Sequence, residues 1–442
     1  MRFQLSKRRL TSQGGRSMKA KYVIVGGSAA GIAAVEAIRE VDPSGEILLV
    51  SEEPSTNYSR PMISELLAGE TNVQGMKYRE DIFWEKNNVH VLIGKAAVRL
   101  NVESKVVELD DGVKVEFDRL LLATGGRPYV PKIEGINREG VFTFTTLSDA
   151  ERLAARIKTG SRAVVIGGGL IGVSAAEALV KRGVKVTVVE FKHTILNLIL
   201  DETASRIVEN AVRKSGVEVV TGQTVQRVIG NHEDDSVVGG AVLTNGEHVP
   251  CEVIVIAIGV VPRTELAVTA GLKTNRGILV DAHMRTSAYG VYAAGDVAEA
   301  YDFVLNENRL LALWPLAVME GRVAGYNMAG KEVVYAGGTS MSTLKYFGVP
   351  VVSVGVINPK TDELTEVLTK GNADEGIYKK LVLREGRLEG FILVKDIEKA
   401  GILTHLVKNK TAVEKFKHEL LSDDFGLVKL PPSLRRKLYM RV

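Results

Sequence analysis

Short apolar runs separated by glycine-rich turns dominate the first two thirds of the chain, and alanine-rich stretches follow two of those turns. The run Tyr22–Val25 leads into Gly26-Gly27-Ser28-Ala29-Ala30-Gly31, then into a segment predicted to be helical to about Glu40, then into a second run, Ile47–Val50, ending at Glu52-Glu53. The same design recurs downstream. Ala163–Ile166 leads into Gly167-Gly168-Gly169-Leu170-Ile171-Gly172, a predicted helix to about Arg182 is stopped by Gly183, and Val184–Val189 ends at Glu190. Each repeat is read as a βαβ unit in which a buried strand feeds a helix through glycine.

Two more apolar runs end in glycine: Arg119–Ala123 before Thr124-Gly125-Gly126-Arg127-Pro128, and Glu252–Ile258 before Gly259-Val260-Val261-Pro262-Arg263. Further on, Gly290-Val291-Tyr292-Ala293-Ala294-Gly295-Asp296 sets one carboxylate just past a short buried run, and a helix is expected over Pro315–Ala329. Taken alone, Asp296 reads as an ordinary helix cap or turn acid. From Val333 the texture changes to antiparallel strands over Leu344–Val356 and Gly376–Val394, with a hairpin turn at Glu385-Gly386, and helices over Asp396–Lys408 and Ala412–Leu421. The basic stretch Pro431–Val442 reads as a solvated terminus or as a docking tail for an acidic partner.

Composition narrows the chemistry. Among 442 residues, 45% are hydrophobic and 25% charged, as expected of a globular chain of two or three domains. Lys+Arg is 57 against Asp+Glu 53, a net charge of +4. Arg2, Lys7, Arg8, Arg9 and Arg16 all precede Met18, so the rest is near neutral, and nothing calls for nucleic acid or an anionic membrane as a partner. The basic leader, residues 1–17, is read as a disordered tail; an organellar transit segment or an upstream start codon are the other readings. No stretch approaches the roughly 20 apolar residues of a membrane-spanning helix, and a cytoplasmic location is expected. A single cysteine, Cys251, excludes an intrachain disulfide, a CxxC pair and any four-cysteine cluster built from this chain alone. The histidines are scattered and no metal site is assigned.

The two glycine turns carry a specific chemistry. The first glycine permits a tight strand-to-helix turn, a small second residue lets backbone N–H groups approach a pyrophosphate, and the third brings helix and sheet together. The helix N-terminus then presents unpaired N–H groups and partial positive charge to phosphate, while an acid at the tip of the next strand accepts ribose hydroxyls. Ser28 departs from the pattern by standing at the middle glycine position of the first copy.

The two dinucleotide units, the Ala-Thr-Gly-Gly-Arg-Pro segment, the Ala-Ile-Gly-Val-Val-Pro-Arg-Thr-Glu-Leu segment and the Gly-Val-Tyr-Ala-Ala-Gly-Asp segment, in that order, resemble the FAD-dependent pyridine-nucleotide oxidoreductases. The resemblance runs from about Lys19 to the C-terminus. It implies an α/β fold with two Rossmann-like dinucleotide-binding domains of the three-layer ββα type and a C-terminal α+β dimerisation domain. The implied boundaries are 18–145 with 263–332 for FAD, 146–262 for NAD(P)H and 333–442 for the interface domain. It also implies FAD contacts at Gly26, Ser28, Ala29, Ala30 and Gly31, at Glu52 or Glu53, and at Arg60, Ala97, Thr124, Gly125, Arg127, Gly295, Asp296, Leu313 and Trp314. Gly167, Gly169, Leu170, Ile171, Gly172, Glu190 and Gly259 would hold the nicotinamide nucleotide. Glu190 favours NADH over NADPH, since a carboxylate accepts from a 2′-hydroxyl and repels a 2′-phosphate, although Lys192 and His193 lie close.

Several departures from that family matter. The redox-active cysteines are missing from Tyr58–Glu65, Glu65 replaces a lysine often found near flavin N5, and Ser174 replaces a glutamate that faces the nicotinamide. Glu65 and Trp314 are expected near the flavin. Lys345-Tyr346-Phe347-Gly348 reads as a core strand or as a segment approaching the flavin. The expected function is an FAD-dependent NAD(P)H oxidoreductase that passes electrons to an external acceptor, a small redox protein or an iron–sulfur subunit, as a homodimer. An NADH oxidase making hydrogen peroxide and an NADH-responsive redox-sensing interaction protein are the alternatives.

Overall fold

The structure, a computed structural model, describes residues 17–360 and 362–439; the leader before Ser17 and the last three residues lie outside the described residues. The chain divides into two compact units, one formed by residues 17–62, 72–127 and 260–338, the other by 63–71, 128–259 and 339–439.

In the first unit the strand Ser17–Val25 is central. It pairs in parallel with Ile47–Ser51 on one side and with Lys114–Leu122 on the other. Val89–Ile93 extends the sheet at one edge, Val291–Ala293 adds a parallel partner to Leu120–Leu122, and Val106–Leu109 and Ala97–Asn101 continue it as an antiparallel extension. Strands such as Ile47–Ser51 are buried along their whole length, which is why their sequences do not alternate. The helices Ala29–Val41 and Trp314–Met328 pack against each other through small residues. A Cβ on Gly321 would lie 2.2 Å from the Ala30 carbonyl oxygen, and one on Gly325 would lie 2.5 Å from that of Ala34, so both glycines are required by the closeness of the helices.

The second unit contains a wholly parallel sheet in the order Glu218–Thr221, Lys185–Glu190, Arg162–Ile166, Val253–Ile256, Val141–Thr143. It also contains a three-stranded antiparallel sheet from Val225 to Pro250 and the C-terminal five-stranded antiparallel sheet. The last runs in the order Met341–Tyr346, Val349–Gly355, Arg387–Val394, Ile377–Arg384, Thr365–Asn372, and carries the helix Ala400–Lys408. Glu385 and Gly386 both have positive φ, 50° and 68°, the geometry of a two-residue hairpin turn.

One expectation fails here and one element is new. Ala412–Leu421 is not an α-helix: Ala412 bridges Arg387 and only Lys417–Leu421 forms a 3-10 turn. Thr365–Asn372 is a strand that the sequence pattern did not suggest. The basic C-terminal stretch begins a helix, Pro432–Tyr439. No helix among the described residues is long and apolar enough to cross a membrane.

Candidate functional site

At the first turn, Gly26 has φ of 120°, and a Cβ there would lie 2.0 Å from the Ala123 carbonyl oxygen. A Cβ on Gly31 would lie 2.0 Å from the Gly26 carbonyl oxygen. The chain therefore folds through this point only with glycine at both positions. The Gly26 N–H donates to Val50 O and the Ala123 N–H to Val25 O, fixing the turn above the sheet. Ser28 is the N-cap of Ala29–Val41, yet its side chain makes no cap hydrogen bond, so no side chain from the cap occupies the N–H groups of the first helical turn.

Around this turn the acids are already engaged. Glu52 pairs with Arg263. Glu53 pairs with Arg60 and accepts from the Tyr58 hydroxyl at 2.5 Å. Thr124 donates its hydroxyl to Arg263 O at 2.8 Å, and the neighbouring Gly125 (φ 66°) has open space where a Cβ would stand. Arg127 forms a half-exposed pair with Glu265 at 2.6 Å, and Ala97 begins an antiparallel strand opposite Leu109. Leu313 is the N-cap of Trp314–Met328, again without a side-chain cap bond, and the Trp314 ring meets Tyr78 edge-on at 5.1 Å.

Asp296 follows the strand Val291–Ala293 through Gly295 (φ 78°), and burial pushes its carboxyl up, an effect that Arg60 opposes. Beside it lies a residue that sequence reading missed. Glu320 is buried within the helix Trp314–Met328 and accepts the Gly295 N–H at 2.8 Å, with the Tyr335 hydroxyl 3.5 Å away. Burial, with the Asp296 charge adding, pushes its carboxyl up to about 8. A Glu set next to the close-contact Gly321 was the available signal, and it reads as a surface acid until the packing of that glycine is known.

The second turn repeats the first. Gly167 has φ of 104°, and a Cβ on Gly172 would lie 1.9 Å from the Gly167 carbonyl oxygen. Gly169 is the N-cap of Leu170–Lys181 and has nothing within 4 Å of its Cβ position, while Gly259 (φ 107°) is equally open. Ile171 lies in the first helical turn. Glu190 is buried at the end of Lys185–Glu190, and its two oxygens accept the Gly168 N–H at 2.6 Å and the Lys192 N–H at 2.8 Å. The ribose acid of the motif thus also braces the turn itself. In this unit Glu65 lies on the short helix Ile63–Ala68, accepting from the Ser64 hydroxyl at 3.0 Å.

Cys251 is buried, and loss of water pushes its thiol up to about 12. Such a thiol is inert near neutral pH. Cys251→Ala is expected to leave the rate of flavin reduction unchanged, and iodoacetamide is expected to leave the native thiol unmodified; mass spectrometry and single-turnover kinetics check both.

The arrangement fits bound dinucleotides on its own terms. At each turn the first and last glycines stand where a Cβ would strike backbone, the cap leaves the helix N–H groups to a ligand, and an acid closes the next strand. The family described as pyridine nucleotide-disulphide oxidoreductase matches residues 20–321, and the rubredoxin NAD+ reductase C-terminal domain matches residues 341–411. The chain is 34% identical to the NADH-dependent phenylglyoxylate dehydrogenase subunit epsilon of Aromatoleum evansii, over 88% of this chain and 92% of that one. It is 30% identical to the nitrite reductase [NAD(P)H] of Bacillus subtilis over 89% of its own length, but spans only 48% of that protein. A solved NAD-dependent persulfide reductase from A. fulgidus superimposes with a TM-score of 0.82 at 28% identity, over 96% of this chain and 83% of that one. With its paired glycine turns and its matched C-terminal domain, the chain belongs to the pyridine nucleotide-disulphide oxidoreductase family and is an FAD-containing, NAD(P)H-dependent oxidoreductase.

Proposed function

We propose that FAD is held at the Gly26–Gly31 turn and NADH at the Gly167–Gly172 turn, and that the electrons leave to a separate protein, a small redox protein or an iron–sulfur subunit. Bound FAD supplies the chemistry of taking a hydride from NADH and releasing electrons singly. The residues supply the rest. Gly26, Ala29, Ala30 and Gly31 would let a pyrophosphate reach the helix N–H groups, and Asp296 would accept from the ribityl hydroxyls. Arg60 and the Glu52–Glu53 pair would flank the adenosine. The helix that begins at Trp314 would turn its positive end toward the flavin, where charge develops on reduction.

The observation that carries this reading is the repetition in one chain of a glycine-crowded turn with its strand-end acid, together with a lone thiol too buried to relay electrons. Without a cysteine relay, the acceptor must take electrons from the flavin directly. The match to a rubredoxin reductase C-terminal domain and the likeness to a subunit of an NADH-dependent dehydrogenase support a protein acceptor. Glu190 supports NADH over NADPH. A homodimer through the C-terminal domain belongs to the same reading.

Anaerobic mixing with NADH is expected to bleach the flavin at least about tenfold faster than the same concentration of NADPH, a difference of about 1.4 kcal/mol. Oxidised rubredoxin or ferredoxin is then expected to restore the colour faster than air does. Reoxidation fastest in air would favour the peroxide-forming oxidase. An unbleached flavin with NADH-dependent change of oligomer size would favour the sensing role.

A further inference from the structure

Tyr346 ends the strand Met341–Tyr346 at the tip of a hairpin whose turn is Phe347 (φ 48°) and Gly348 (φ 80°). Its hydroxyl donates to the carbonyl oxygen of Leu170 at 3.3 Å, and Ser174, one turn along the same helix face, is its next polar neighbour. The next residue, Phe347, donates its N–H to Glu177 Oε1 at 2.9 Å. Leu170, Ser174 and Glu177 are spaced i, i+4, i+7, so they share one face of the helix behind the second glycine turn. The C-terminal sheet is therefore fastened along that face, starting at the turn itself.

Glu190 fastens the same turn from the other arm, through the Gly168 N–H. In a parallel sheet of this kind a dinucleotide crosses the central strand, and its adenosine ribose meets the acid on the next strand. Here Arg162–Ile166 is central, with Lys185–Glu190 on one side and Val253–Ile256 on the other. Once the adenosine half is claimed at Glu190, the remaining half leaves the turn on the side away from it. Tyr346 meets the helix at its first residue. The phenol is neutral there: burial pushes it up to about 12, the Glu177 and Glu65 carboxylates push the same way, and Ser174 opposes them. A neutral donor at this point does not repel a pyrophosphate, as a carboxylate would. Lys181 neutralises the acids beyond it, pairing with Glu70 at 2.9 Å and reaching Glu177 at 4.0 Å.

We propose that Tyr346 is a positioning residue for the nicotinamide half of NADH, holding Leu170 and Ser174 in the orientation against which that half is laid. The proposal rests on reading the Gly167–Gly172 turn as the NADH site.

The test compares two ligands on the oxidised, FAD-loaded protein by calorimetry: NAD+, and ADP-ribose, which lacks the nicotinamide. Tyr346→Phe removes only the hydroxyl. It is expected to weaken NAD+ by about five- to tenfold, the worth of one hydrogen bond, while ADP-ribose affinity, flavin content and melting temperature stay at the wild-type level. Equal weakening of both ligands, or of neither, overturns the proposal, since a merely structural role would not tell them apart. Should the phenylalanine variant fail to fold, Ser174→Ala, which leaves the hairpin intact, carries the same expectation. A wild-type protein that binds neither ligand brings down the NADH reading itself, a separate outcome.

Discussion

Glu320→Gln is expected to gain stability over the wild type as pH rises, by about 4 kcal/mol between pH 5 and pH 9. The carboxyl has an ordinary value of 4.5 when unfolded and is pushed to about 8 when folded, burial being the main cause. A raised folded value means that the folded chain holds a proton the unfolded chain has released. The stability that belongs to Glu320 is therefore complete below pH 4.5 and drains away as pH rises through 8. Glutamine keeps the useful geometry, because its carbonyl can still accept the Gly295 N–H and its amide can face the Tyr335 hydroxyl. It has no charge to desolvate. Glu320→Ala should behave differently, destabilising at pH 5, where it leaves the Gly295 N–H unpaired and empties a buried position, and losing most of that disadvantage against the wild type by pH 9. Urea unfolding of the three proteins at pH 5, 7 and 9 checks this. Parallel pH profiles for wild type and glutamine variant would show that the carboxyl is not buried as described.

This carboxyl marks the boundary of what the sequence could convey. The two turns are readable because their chemistry is local: a strand, a crowded glycine and a helix within a dozen residues leave few alternatives. Asp296 is readable only in company with those turns, and Glu320 not at all, because the helix that carries it is packed through Gly321 and Gly325 onto Ala30 and Ala34, nearly 300 residues earlier. The C-terminal domain shows both kinds of failure. Thr365–Asn372 is an edge strand, mostly exposed, so no apolar alternation records it. Val413, Phe416 and Leu420 are buried at helical spacing and suggest an α-helix. The backbone instead bonds outward, Val413 N–H to Gly386 O, and then closes 3-10 turns from Val413 to Phe416 and from Phe416 to Glu419. Periodicity located the buried side chains correctly while misjudging the hydrogen bonds. Tyr346 is a milder case: its strand was expected, but its contact with Leu170 joins segments that share no motif.

Gly31→Ala and Gly172→Ala are expected to separate the two nucleotides by colour. In a helix interior, Gly→Ala ordinarily stabilises by about 1 kcal/mol. Gly401, the second residue of the helix Ala400–Lys408 with nothing within 4 Å of its Cβ position, should accept the added carbon without loss, and Gly401→Ala serves as the control. At Gly31 and Gly172 the added carbon would lie 2.0 Å and 1.9 Å from a backbone carbonyl oxygen, well inside van der Waals contact. No flexible side chain is there to yield, so the helix must back away from the turn, at a cost of roughly 1–3 kcal/mol that outweighs the propensity gain. The larger loss falls on the ligand, because helix N–H groups that retreat no longer reach the phosphates. Gly31→Ala should therefore purify with little or no flavin. Gly172→Ala should purify yellow, be bleached normally by dithionite, and be reduced by NADH at least about a hundredfold more slowly, a barrier increase of about 2.7 kcal/mol. Absorbance of the purified proteins and anaerobic stopped-flow traces decide the matter. A Gly172→Ala protein reduced by NADH at the wild-type rate would place the nicotinamide nucleotide somewhere other than this turn.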